Sequence, residues 1–180
     1  PLVPSSPYGL SKLAQEMVAV DPDGPHQALI GRAFNHIGPR QEPSFAASAF
    51  ARRIADIEAG RADAELLVGN LDARRDLTDV RDTVAAYRLI VERGIASRAY
   101  NVCSGRAVAI GDVLEMLLGR ARVPIRIGVD PTRYRPNALP RIVGDPSRLK
   151  EELGWTPTIP LEQTLDDLLG YWRARLTTAG

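Results

Sequence analysis

The stretch SPYGLSK sets Tyr8 four residues before Lys12. A free tyrosine has a pKa of about 10 and is a weak acid or base at neutral pH. A fixed ammonium beside it favours the phenolate and lowers that value. Lysine suits the task as a compact point charge that can also donate to ribose hydroxyls, whereas arginine would spread its charge over a fork. Such a pair fits proton transfer to or from a carbonyl or hydroxyl while a nicotinamide moves a hydride. The plainer alternative is an amphipathic helix with an exposed Tyr and Lys, and the spacing alone does not separate the two. Lysine usage adds weight to the first. Lys and Arg total 23, yet only Lys12 and Lys150 are lysines.

The pair needs an element to hold it. Ser6 and Pro7 read as the N-cap and first residue of a helix. Leu10, Leu13, Ala14, Met17 and Val18 then form an apolar stripe, with Tyr8 and Lys12 on the opposite face, one above the other. The helix should stop by DPDGP, residues 21–25. HQALIGRAF (26–34) reads as a buried strand and NHIGPRQEP (35–43) as a loop. A helix follows from Ser44 to about Gly60, with Ala47, Phe50, Ile54 and Ile57 inward. AELLVG and ARRDLTDV read as extended segments, and Val80, Val84, Tyr87 and Val91 mark the next helix, ending near Gly94. RAYNVCSG is a strand with a turn, AVAIGDVLEMLLGR passes from strand to helix near Ile110, and PIRIGVD is a strand. A Pro-rich connection with one short helix leads to a last helix carrying Leu161, Leu165, Leu168 and Trp172 on one face. Alternating strands and helices define an α/β class.

Composition bounds the partners. The 180 residues are 44% hydrophobic and 25% charged, with a formal net charge of +1. That balance makes no electrostatic case for nucleic acid or a membrane surface. There is no apolar run of spanning length, and no signal peptide is expected. Cys103 is the single cysteine, so a disulfide framework and a cysteine-rich metal site are both excluded within one chain. A reducing cytoplasm is the expected setting. The first residue is Pro, and the sequence reads as an internal piece of a longer protein, or as a processed or trimmed one.

SPYGLSK resembles the active-site signature of the extended short-chain dehydrogenase/reductases. RAFNHIGPRQ (32–41), VGNLDARRDLTDVRD (68–82), YNVCSG (100–105), YRPNALP (134–140) and LGWTP (153–157) follow in that family's order. FNHIGPRQ with VGNLDARRD is most similar to GDP-4-keto-6-deoxy-D-mannose reductases, with GDP-mannose 4,6-dehydratases next. The resemblance implies the C-terminal part of a Rossmann-type chain: the end of the parallel sheet plus a small mixed α/β substrate-binding subdomain. Residues 1–43 would close the dinucleotide-binding domain. Residues 44–180 would form mainly the nucleotide-sugar region, interleaved with returning Rossmann elements. The family's glycine-rich loop, and the Ser or Thr that completes its catalytic triad, lie upstream of Tyr8 and outside these residues; Ser5 and Ser6 are too close to substitute.

The resemblance assigns roles by position. Tyr8 would be the general acid and Lys12 would lower its pKa and hold the nicotinamide ribose. His36 would lie near the nicotinamide, with NADP or NAD as cofactor and no metal. Asn35, Val68, Asn70, Arg75 and Arg135 would bind a GDP-sugar, the two arginines gripping its pyrophosphate. Asp76 and the helix cap Asp79 are expected to be structural, Trp155 and Trp172 packing residues, and Cys103 a small buried residue. Leu77 stands where an aromatic is usual, and Ala138 where an acidic residue often contacts the ribose. Three functions follow: a reductase of GDP-4-keto-6-deoxymannose, a dehydratase or epimerase of the same family, or a non-catalytic nucleotide-sugar-binding remnant. The resemblance also implies a homodimer or higher homo-oligomer through the Tyr8 helix.

Overall fold

The computed structural model describes residues 3–4, 6–20, 27–133 and 139–177. Helix α1 (Pro7–Ala19) starts as the local sequence dictates. The Ser6 hydroxyl accepts the Gly9 N–H at 3.1 Å, and Pro7 occupies a position whose own N–H is not needed. Strands β1 (Ile30–Ala33) and β2 (Asn35–Ile37) follow, then α2 (Ala46–Glu58), β3 (Glu65–Val68), β4 (Arg74–Asp79) and α3 (Val80–Arg93). Next come β5 (Ala99–Val102), β6 (Ala107–Ala109), α4 (Ile110–Leu118) and β7 (Arg126–Val129). A 3-10 turn (Pro131–Arg133), β8 (Arg141–Ile142), α5 (Ser147–Leu153) and α6 (Leu161–Thr177) complete the order. Gly154 ends α5 in a left-handed conformation, φ 74°, which a side chain would strain.

Pairing is mostly parallel, as crossover helices require. β1 runs beside β5, β2 beside β4, β3 beside β7 and β8 beside β4; only β4 with β6 is antiparallel. The main core lies between α2, α4 and α6. Phe50, Ile54, Leu117, Leu165, Leu168 and Trp172 close on Leu66 and Val68 of β3. A second cluster joins Ala86 and Ile90 of α3 to Tyr100 and Val102 of β5, Leu149 of α5 and Trp155. The expected inward set of α2 and the packing roles of both tryptophans hold.

Buried polar groups tie these layers together, because each needs a partner where water is absent. Asp79 caps α3 through the Arg81 N–H at 2.8 Å and accepts the Thr164 hydroxyl of α6 at 2.7 Å. Burial alone would raise the Asp79 carboxyl, but the Arg81 guanidinium, the Thr164 hydroxyl and the cap N–H outweigh it and hold it low. Asp82 accepts from the Thr158 N–H and hydroxyl and the Ile159 N–H, fastening α3 to the approach of α6.

Three expectations are corrected. HQALIGRAF is not a buried strand: β1 covers only Ile30–Ala33 and none of its four residues is buried, because the face toward the cleft is open. NHIGPRQEP is not all loop. Asn35, His36 and Ile37 form a strand whose register on β4 is Leu77, Thr78 and Asp79. Two polar residues and one apolar one carry no alternation, so β4 supplies the reason for the strand. The stripe that marks α3 is not its buried face. Val84, Tyr87 and Val91 are exposed, while Asp82, Thr83, Ala86 and Ile90 turn inward.

Cys103 is fully buried, and the surrounding low-polarity interior together with the Asp76 charge pushes its thiol up to about 12. In the native protein near pH 8 it should therefore resist a thiol-specific disulfide reagent and react at once on unfolding. Rapid native labelling would show that this packing opens readily.

Candidate functional site

Helix α1 buries none of its own residues. Tyr8 is 71% exposed, and the Lys12 ammonium sits 5.5 Å from the centre of its ring while donating to Gln15 at 3.1 Å. The carboxylate of Glu16, one turn further on, receives a two-point grip from Arg32 of β1, with Nε at 2.9 Å and Nη2 on the other oxygen. That hydrogen bonding, against a smaller opposing effect of burial, holds Glu16 below the ordinary glutamate range.

An open cleft of about 1730 Å³ lies between α1 and strands β1, β2 and β4. Tyr8, Lys12, Asn35, His36, Asn70 and Arg75 all line it. His36 is exposed in the middle of β2, its Nδ1 3.3 Å from the Phe34 carbonyl oxygen. Its own carbonyl accepts from Gln41 at 2.8 Å. The Gln41 carbonyl accepts the Ser48 hydroxyl at 2.6 Å, and Ser48 accepts the Trp172 indole N–H at 3.0 Å. A core tryptophan thus braces the loop behind His36. Asn70 folds its side chain back to accept the Asp72 N–H at 2.9 Å. Arg75 is half-buried on β4, with one nitrogen on the Arg74 carbonyl at 2.8 Å.

The structure treats the other two candidates differently. Val68 is buried in the core, and its carbonyl accepts the Asp130 N–H at 2.8 Å, so it does not line the cleft. Arg135 lies outside the described residues. Sequence reading passed over Glu16, Arg32, Arg40 and Arg133, which also line the cleft. Glu16 was findable, since it continues the Tyr8 and Lys12 stripe at the next i,i+4 step. Arg40 carries a backbone signal invisible in sequence, φ 72° in a non-glycine residue.

Among the described residues no three His, Cys, Asp or Glu side chains are placed to hold a metal, and no helix is long and apolar enough to cross a membrane.

The elements and the cleft define a class: the C-terminal part of a Rossmann-type chain of the extended short-chain dehydrogenase/reductase kind. Comparison narrows it. The chain belongs to the GDP-mannose 4,6 dehydratase family, whose model matches residues 1–168. It is 38% identical over 176 residues to the GDP-6-deoxy-D-mannose reductase of Pseudomonas aeruginosa, covering 96% of this chain and 58% of that protein. It is 26% identical over 200 residues to a GDP-mannose 4,6-dehydratase of Vibrio cholerae serotype O1, covering 94% of this chain and 53% of the relative. The structure of RMD from Pseudomonas aeruginosa complexed with NADPH superposes with a TM-score of 0.90 at 36% identity, over 96% of this chain and 58% of that one. A UDP-glucose 4-epimerase from Thermotoga maritima, with UDP-glucose, gives 0.81 at 26% identity over 97% and 55%. The chain therefore spans a little over half the length of these relatives.

Proposed function

We propose that this chain is the substrate-side part of an NAD(P)-dependent oxidoreductase that reduces a GDP-4-keto-6-deoxyhexose. The observation that carries the reading is the convergence of Tyr8, Lys12, Asn35, His36, Asn70 and Arg75 on one cleft. A dehydratase would need a carboxylate base beside the sugar, which the family resemblance places upstream of these residues, whereas a reductase needs none, and similarity favours the reductase. The 38% identity to a GDP-6-deoxy-D-mannose reductase supports the same choice.

The donor set fits the nicotinamide end of a dinucleotide. Lys12 brings ammonium donors suited to ribose hydroxyls, and His36 stands exposed on the same cleft. The cofactor's phosphates call for a glycine-rich strand–loop–helix, which these residues do not include. The exposed apolar side chains of α1 and α3, Leu10, Met17, Val18, Val84 and Val91, support a further layer packed on this side. In that arrangement residues 1–43 belong to the dinucleotide-binding domain and residues 44–180 mainly to the nucleotide-sugar region. Leu10, Met17 and Val18 also suit pairing of α1 with a second copy in a homodimer.

When bound, NADPH or NADH supplies the hydride. Tyr8 donates its hydroxyl proton to the 4-keto oxygen, so the carbonyl becomes an alcohol and the phenolate regains its proton from solvent. Lys12 stabilises the negative charge left on the Tyr8 oxygen. Arg75, with Arg135, binds the substrate pyrophosphate, and Asn35 and Asn70 orient the sugar and nucleotide.

Full-length protein given GDP-4-keto-6-deoxymannose and NADPH should oxidise the nicotinamide mole for mole. Conversion of GDP-mannose with no net NADPH change would make it a dehydratase instead, and GDP binding without turnover of either would leave a binding remnant. Arg75→Ala should weaken GDP binding by roughly 10- to 100-fold, the loss of a charge-assisted contact. Unchanged affinity in a titration would remove Arg75 from the phosphate site.

A further inference from the structure

The cleft is strongly biased in charge. Among the described residues Lys12, Arg32, Arg40, Arg75 and Arg133 line it, against the one carboxylate of Glu16. That carboxylate stands four residues after Lys12 on the same helix face, the spacing at which a lysine and a glutamate pair on a helix. Yet the Lys12 ammonium bonds Gln15, while both Glu16 oxygens go to Arg32. Arg32 is placed for this by β1, where its register partner on β5 is Asn101, and it lies three residues before Asn35 at the cleft. The Glu16 and Arg32 side chains are only 21% and 34% exposed, so their grip is less screened than a surface pair.

We propose that Arg32 and Glu16 are positioning residues for the Tyr8 and Lys12 pair, a step that rests on the function proposed above. The bidentate contact does two things. It fixes α1, which buries no side chain of its own, against the strand that leads to Asn35 and His36. It also keeps the Glu16 carboxylate off Lys12, leaving the ammonium to Tyr8 and the cofactor ribose. An arginine does this where a lysine would not, because its planar fork occupies both carboxylate oxygens at once.

The second role makes the two partners unequal. In Arg32→Gln the freed carboxylate can capture Lys12; in Glu16→Gln no carboxylate remains to compete. Steady-state kinetics of the full-length protein, with both substrates varied, read the difference. Arg32→Gln should lower kcat on the order of 10- to 100-fold with little change in KM for the nucleotide sugar. Glu16→Gln should lose clearly less, and the Arg32→Gln/Glu16→Gln double variant should recover to the Glu16→Gln level. Arg32→Lys, which keeps the charge but not the fork, should fall between wild type and Arg32→Gln. It carries the comparison if the glutamine variant melts early. Equal losses in the two single variants, with no recovery in the double, would reduce the pair to a structural tie and overturn the proposal. Wild-type kcat throughout would overturn it too. Tyr8→Phe serves as the reference. If it retains turnover, the proposed chemistry itself fails, whereas a dead Tyr8→Phe beside a flat Arg32 series defeats only the positioning role.

Discussion

Tyr8→Phe in the full-length protein is expected to lower kcat by roughly 10²- to 10⁴-fold, the range a positioned general acid supplies. The substitution removes one oxygen from a side chain that is 71% exposed on a helix with no buried residue. Folding should therefore be untouched, because no packed atom and no hydrogen bond of the described structure depends on that hydroxyl. Nucleotide-sugar binding should also survive, since Asn70 and Arg75 reach the cleft from different elements. The two measurements separate cleanly: turnover from NADPH consumption, affinity from titration with GDP-sugar in the absence of dinucleotide. A loss in kcat with KM preserved marks an interaction made only in the transition state. Turnover within a fewfold of wild type would return Tyr8 to the plainer reading of an exposed tyrosine on an amphipathic helix.

What sequence made legible, and what it did not, divides by the distance between partners. The Ser6 cap, the Asp79 cap and the inward face of α2 depend on residue types at fixed short offsets, and each was readable directly. The Tyr8 and Lys12 pair was readable for the same reason, being one helical turn apart. Contacts between elements were not. Arg32 meets Glu16 across 16 residues and a change of element, and nothing in an apolar run around an arginine says where its guanidinium goes. The Asn35–Ile37 strand exists because β4 offers a parallel partner, a fact about residues 77–79 rather than about 35–37. The outward stripe on α3 shows the limit of periodicity. A helix with apolar residues on two faces has two candidate inward sides, and spacing alone ranks neither.

Asp76→Ala should be the most destabilising single change near the site, by about 3–5 kcal/mol. Its carboxylate is fully buried on β4, beside Arg75, and is shared between two separate segments, the 104–105 turn and Gly144. One oxygen accepts the Ser104 N–H at 2.7 Å and the Ser104 hydroxyl at 2.6 Å; the other accepts the Gly105 N–H at 2.9 Å and the Gly144 N–H at 3.2 Å. Removing it takes the acceptor from three backbone donors at once. The local packing leaves no room to collapse: a Cβ on Gly144 would stand 2.5 Å from the Cys103 sulfur and 2.7 Å from the Phe34 ring. Asp76→Asn should be nearly as costly, since an amide NH₂ would face donors in place of one carboxylate oxygen. The effect should reach function as well. Ser104 and Gly144 lie 28 and 68 residues from Asp76, and the second follows β8, the strand that pairs with Arg74 and Arg75. Loosening that joint should therefore weaken GDP binding together with stability. Denaturant unfolding of the full-length protein checks the first part through a lower midpoint at unchanged slope. A loss below about 1 kcal/mol would mean that water satisfies the three N–H groups, and the clamp would then be no more than one hydrogen bond among many.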